Sequence, residues 1–200
     1  MAQRKQSNDA ETQVVTQGVD SSAKQKVRVA TTWLDGCSGC HMAFLDMDEQ
    51  LADLLNSIDI VYGPLVDIKS FPERVDVTLV EGAVSSNEDE EKIRVVRERT
   101  GILISFGDCA VTANVPGMRN QFKVSDVLNR AFIENASAGN GIPLDGVPQL
   151  LKHARPVHEF VKVDLFLPGC PPPTKAILYA VGKLLEGQMP DMTGKSRFGA

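Results

Sequence analysis

Along this chain, short runs of β-branched and apolar residues take turns with stretches whose apolar positions recur every three or four residues. Val27 to Trp33 alternates in the manner of a strand. The small-residue turn Asp35-Gly36-Cys37-Ser38-Gly39-Cys40 cannot continue it. From His41 to Asn56, Met42, Phe44, Leu45, Met47, Leu51, Leu54 and Leu55 recur at helical spacing. Ile58 to Tyr62 reads as a second strand stopped by Gly63-Pro64, and Val75 to Val80 as a third, ending in Glu81-Gly82. A charged amphipathic helix follows from Asn87 to Arg99, with Ile93 and Val96 inward and Gly101 closing it. Ile102 to Phe106 is almost wholly apolar, which predicts a strand covered on both faces. Residues 110 to 156 are less regular, with one helix expected from Ser125 to Asn135 and a Gly/Pro/Asn loop from Ala138 to Pro148. Val161 to Leu167 is the last predicted strand, and Pro173 starts a helix over Thr174 to Glu186.

Strands alternating with helices specify an α/β domain. Five of them fit a flavodoxin-like, doubly wound, mainly parallel five-stranded sheet with helices on both faces. The predicted domain covers residues 27–187, with a flexible polar N-terminal tail at 1–26 and a C-terminal tail at 188–200. In such folds ligands sit beyond the carboxyl ends of the strands. Cys37 and Cys40 follow the first strand, Cys109 the fourth and Cys170 the fifth. All four cysteines are therefore expected on one rim, none of them inside a strand or helix.

At 200 residues the chain can build a core without disulfide staples. Its net charge of −5, with no Lys/Arg cluster, argues against a nucleic-acid partner. No apolar run reaches the roughly 18 residues that cross a bilayer, and the first residues carry neither a secretory signal nor a twin-arginine pair. The expected setting is cytoplasmic, with no membrane contact. In that reducing compartment four thiols read as ligands rather than as cross-links.

Four converging thiolates can hold a tetrahedral metal or a cubane iron–sulfur cluster. Cys37 and Cys40 form a chelating pair across a narrow Ser38-Gly39 turn. Prolines stiffen the loop Pro168-Gly169-Cys170-Pro171-Pro172-Pro173, and a proline after a ligand cysteine matches the bacterial ferredoxin run. A thioredoxin-type pair would leave Cys109 and Cys170 without a role. Structural zinc usually takes two close Cys-x-x-Cys knuckles, and one is present here. Spacing favours the iron–sulfur cluster, with a zinc-binding α/β interaction module as the competing reading. Glu81, on the same rim, can relay protons or accept loop N–H groups. Asp35 and Asp108 flank ligand cysteines as acceptors that order the loops. His41, a half-exposed helix-start residue beside Cys40, can donate toward a sulfur or line a subunit contact. Trp33 reads as core or interface packing. A bound FMN would need a pocket away from the loop after the first strand, because Cys37 and Cys40 occupy it.

Trp33-Leu34-Asp35-Gly36-Cys37-Ser38-Gly39-Cys40-His41, Val80-Glu81-Gly82-Ala83-Val84, Gly107-Asp108-Cys109-Ala110 and Pro168-Gly169-Cys170-Pro171-Pro172 together resemble the small subunit of nickel–iron hydrogenases. The likeness covers most of residues 27–187. Within that family the chain is most similar to the short cytoplasmic subclass found in soluble NAD-reducing hydrogenases. It also resembles the cluster-bearing subunit of respiratory NADH dehydrogenase, which has two adjacent cysteines where Cys37 and Cys40 here are separated. The resemblance implies one [4Fe–4S] cluster on Cys37, Cys40, Cys109 and Cys170, close to a nickel–iron centre in a large subunit. It further implies that electrons from hydrogen pass through diaphorase subunits, with their iron–sulfur clusters and FMN, to NAD. A related complex with another acceptor is the alternative. Arg119 and Lys123 are candidates for bridging to the large subunit.

Overall fold

The computed structural model describes residues 25–139 and 141–199. The tail expected at 1–26 lies outside the described residues but for Gln25 and Lys26. The strands are β1 (Val27–Trp33), β2 (Ile58–Tyr62), β3 (Val75–Glu81), β4 (Val84–Ser86), β5 (Thr100–Phe106), β6 (Leu150–Arg155) and β7 (Leu165–Leu167). The helices are α1 (Gly39–Leu45), α2 (Glu49–Leu54), α3 (Asn87–Arg99), α4 (Asp108–Thr112), α5 (Asn114–Gly117), α6 (Val124–Asn129) and α7 (Thr174–Leu185). Five strands pair in the order β2-β1-β3-β5-β7, every neighbour parallel. Numbered among themselves they run 2-1-3-4-5, the flavodoxin-like order expected from the sequence.

The central strands are apolar on both faces because both are covered. Alternate residues supply opposite cores. Val29, Leu79, Ile104 and Phe106 pack with Phe44 of α1 and Ile177 and Val181 of α7. Ala30, Val80 and Leu103 pack with Ile93 and Val96 of α3 and with Val157. The start of α3 is secured by a capping box. Ser86 Oγ accepts the Asp89 N–H at 3.1 Å, and Asp89 Oδ2 accepts the Ser86 N–H at 3.0 Å. Ile93 is fully buried. Ile93→Ala should therefore lower stability by about 2–5 kcal/mol in denaturant unfolding. A loss below about 1 kcal/mol would mean that α3 is not packed as described.

Four local expectations change. The helix expected from His41 to Asn56 is broken between α1 and α2, where Asp48 takes a φ of +48° and Met47 turns into the core. Gly101 does not close α3 but already belongs to β5, where a Cβ would lie 2.9 Å from the Asp76 carbonyl oxygen. The last strand is shorter than Val161 to Leu167. The Val161 N–H donates to Val157 O in a preceding turn, and Asp164 directs its carboxyl group at the Leu103 N–H (2.9 Å) and Arg97 (2.6 Å). Finally, β4 and β6 form a small antiparallel pair that no periodicity announced. Val-Ser-Ser is too short to alternate, and β6 lacks β-branched residues. Arg119 clamps this pair by donating to Ser85 O (3.1 Å) and Leu151 O (3.0 Å). Its guanidinium is thus engaged within the chain; Lys123 is exposed. Among the described residues no helix is long and apolar enough to cross a membrane.

Candidate metal centre

The parallel sheet delivers the four cysteines to its carboxyl edge, as their positions after β1, β5 and β7 require. Two details differ from expectation. Cys40 and Cys109 are not in loops but in the first turns of α1 and α4, and both are buried. Cys37 and Cys170 lie in loops and are exposed. All four are free thiols. Burial pushes the Cys40 thiol far above the ordinary thiol range, and the charges of Glu81, Cys109, Cys37 and Cys170 add to the push. Burial also raises Cys109, against the Val115 N–H that points at its sulfur and with Cys37 and Cys170 nearby. Four thiols close enough to oppose one another's ionisation strongly favour a cation among them.

Backbone geometry sets where these sulfurs can sit. Ser38, at φ +67°, turns the chain sharply between Cys37 and Cys40. Gly107 has φ +85° and ψ 162°, and a Cβ there would lie 2.1 Å from Cys40 Sγ. The bare glycine is therefore the space in which that sulfur sits. The Gly107 N–H reaches Leu167 O at 2.8 Å, tying the ends of β5 and β7. Asp108 continues this tie. Its N–H donates to Gly169 O (2.9 Å) and its Oδ1 accepts the Gly169 N–H (2.7 Å), so the residues preceding Cys109 and Cys170 are laced together. Asn114 directs its amide at Cys170 Sγ, 3.9 Å away. Among the described residues no three His, Cys, Asp or Glu side chains close on a point as one metal ion needs. Zinc draws its sulfurs to about 2.3 Å from a single centre, whereas a cubane seats each thiolate on its own iron. By ligand type alone, four cysteines suit either group.

The neighbouring candidates sort unevenly. Asp108 orders the ligand loops as expected. Asp35 does so through its main chain, exchanging N–H···O bonds of 3.0 and 2.7 Å with Ala83; among the described residues its carboxyl group has no hydrogen bond. His41 is buried rather than half-exposed, and it faces Glu81 instead of a sulfur. The His41 N–H donates to Glu81 Oε2 at 3.0 Å, Nδ1 lies against the same oxygen, and Nε2 is enclosed without a partner. Glu81, almost fully buried at the end of β3, thus accepts an N–H from the ligand-bearing helix. Trp33 is not in the core: it is 43% exposed, with Nε1 donating to Gly36 O. Beside His41 an apolar hollow of about 340 Å³ is lined by Trp33, Met42, Phe44, Ile60 and Leu65, beyond the ends of β1 and β2. Sequence reading missed Gly107 as the seat of a sulfur, and missed Asn114 and Val115. The Gly-Asp-Cys run marked the place, but clearance between Gly107 and Cys40 is a contact across 67 residues that no local pattern records.

Residues 37–184 match the family model of the NADH ubiquinone oxidoreductase 20 Kd subunit. The NAD-reducing hydrogenase HoxS subunit delta of Cupriavidus necator is 43% identical over 172 residues, covering 84% of this chain and 82% of the relative. A subunit of the F420-non-reducing hydrogenase vhu of Methanocaldococcus jannaschii is 39% identical over 171 residues; the match covers 84% of this chain but only 59% of that relative. Among solved structures, a chain of an NAD+-reducing [NiFe]-hydrogenase in the H2-reduced state superposes with a TM-score of 0.83 at 37% identity, over 87% of this chain and 99% of that one. The chain belongs to the NADH ubiquinone oxidoreductase 20 Kd subunit family, and within it to the small subunits of hydrogenases.

Proposed function

We propose that this chain is the electron-transfer small subunit of a soluble, cytoplasmic NAD-reducing [NiFe] hydrogenase, and that Cys37, Cys40, Cys109 and Cys170 hold one [4Fe–4S] cluster. The observation that carries the reading is the gathering of all four thiols, two buried and two exposed, on the rim where a doubly wound sheet binds its ligands. When bound, that group supplies one-electron uptake and release, at a potential set by hydrogen bonds to its sulfurs and by burial. The chain's own residues prepare the place. Cys40 and Cys109 form its dry inner side, and Cys37 and Cys170 its outer side, toward the large subunit that carries nickel and iron. The Val115 N–H and the Asn114 amide lie close enough to tune two of the sulfurs. Electrons released from hydrogen in the large subunit would cross this chain toward diaphorase subunits with flavin and NAD. A hydrogenase with a different final acceptor is the second reading, favoured by the similar identity to the Methanocaldococcus jannaschii relative.

Purification of the chain with its companion subunits, followed by iron, labile sulfide, zinc and flavin analysis, tests the proposal. Labile sulfide, with iron in excess of it by the iron of the nickel–iron centre, and hydrogen-driven reduction of NAD are expected. Zinc in place of iron and sulfide in the small subunit separated from the complex would overturn the cluster, and hydrogen-driven turnover confined to another acceptor would select the second reading. FMN retained by the small subunit alone would place a flavin on this chain, for which the hollow beside His41 is one candidate space.

A further inference from the structure

Residues 188–199 lie past the last helix of the sheet domain, but they do not trail away from it. Pro190 is buried and Met192 packs against the core face that α7 covers. The Lys195 N–H donates to Met192 O at 3.0 Å, closing a turn, and Lys195 Nζ sits 4.7 Å from the centre of the Tyr179 ring on α7. From there the segment returns to the carboxyl edge of the sheet, where the Gly199 N–H donates to Asp108 Oδ2 at 2.8 Å. Asp108 is the residue whose Oδ1 takes the Gly169 N–H. One buried carboxyl group therefore joins three things: the turn before Cys109, the loop before Cys170, and this segment. A ring results, running from Asp108 through Gly169 and Cys170 into α7, along residues 188–199, and back to Asp108.

We propose that residues 188–199 are a strap that fastens the Cys109 and Cys170 loops, with Asp108 as its buckle, so that retention of the cluster depends on a segment holding none of its ligands. This rests on the cluster reading above. Without the strap, Asp108 Oδ2 loses its N–H donor and can swing toward water, which frees the Gly169 N–H and with it the position of Cys170. The two loops come from different strands, and β7 pairs with β5 through only three residues, Leu165 to Leu167. The sheet by itself thus holds the Cys170 loop weakly, and the strap supplies the missing restraint from the far side.

Gly199→Pro tests this directly. It removes the donated N–H and cannot take the φ of +69° found there, while a side chain at that position has nothing within 4 Å to meet. The holoprotein carrying it should lose its visible iron–sulfur absorption to a chelator about tenfold faster, the change expected from one hydrogen bond to a carboxyl group. Its global unfolding transition should stay where it was. Deletion of 189–199 should act in the same direction, and Asp108→Asn should abolish any further effect of Gly199→Pro. Bleaching at the unsubstituted rate in both strap variants would overturn the proposal, as would bleaching that merely follows a fall in global stability. If the unsubstituted chain carries no iron, it is the cluster reading that fails. The strap is then judged by hydrogen exchange at the Gly169 amide, which Gly199→Pro accelerates if the strap holds and leaves unchanged if it does not.

Discussion

Cys109→Ser is expected to abolish hydrogen-dependent NAD reduction by the complex while its NADH-driven diaphorase activity survives. Cys109 is one of the two buried thiols, held in the first turn of α4, and the charges of Cys37, Cys170 and Glu81 add to the effect of burial in raising it. A serine hydroxyl is a poorer iron ligand than a thiolate. Changes to groups that merely support metal ligands commonly cost 10–100-fold, so loss of a ligand should exceed about a hundredfold. Iron and sulfide content should fall with the activity. The split between the two assays carries the weight: diaphorase turnover needs no electron to cross this chain, whereas hydrogen-driven turnover does. Retained hydrogen-driven reduction in the variant would mean that the electron route bypasses Cys109, and the proposed function would fall. Loss of both activities would point to failed assembly, which co-purification of the subunits would reveal.

Gly107→Ala is expected to be nearly as severe, although it removes no ligand. At φ +85° and ψ 162°, Gly107 occupies backbone territory open essentially to glycine alone, at a strain of about 1–3 kcal/mol for any other residue. The added methyl group would also stand 2.1 Å from Cys40 Sγ, so the sulfur must leave its seat. Forcing a carbon into filled space costs about 1–3 kcal/mol more. Unfolding measurements should thus show a loss of about 2–6 kcal/mol, and the purified protein should be short of iron. Gly146→Ala provides the comparison. Gly146 has a φ of +70° but nothing within 4 Å, so its substitution should cost only the conformational strain and leave iron content intact. Equal iron content in the two variants would show that Gly107 is not the seat of the Cys40 sulfur.

The central sheet was legible because its physics is local. Apart from Arg28, Asp76 and Ser105, the residues of Val27 to Trp33, Val75 to Val80 and Ile102 to Phe106 are β-branched or apolar, and strands covered on both faces need that composition wherever they lie. The span of α3, Asn87 to Arg99, was legible for the same reason. What escaped were boundaries decided by partners elsewhere. Asp164 leaves the strand pattern because Arg97 and the Leu103 N–H claim its carboxyl group. Arg119, read from the sequence only as a candidate for a partner, also holds Ser85 O and Leu151 O within the chain. His41 looked like a surface residue at a helix start, yet Glu81, forty residues onward, draws it inside.

The amino-acid sequence by itself determined the fold class, the parallel order of the sheet and the placing of four cysteines after three strands. Each of these depends on residue type and spacing along a strand or turn, and those are written consecutively in the chain. The tertiary structure alone decided which thiols are buried, that Gly107 makes room for one of them, and that Asp108 gathers the Cys109 turn, the Cys170 loop and residue 199 to one point. Those are contacts between residues that the chain keeps far apart. Only the packing of parallel strands side by side brings them within reach.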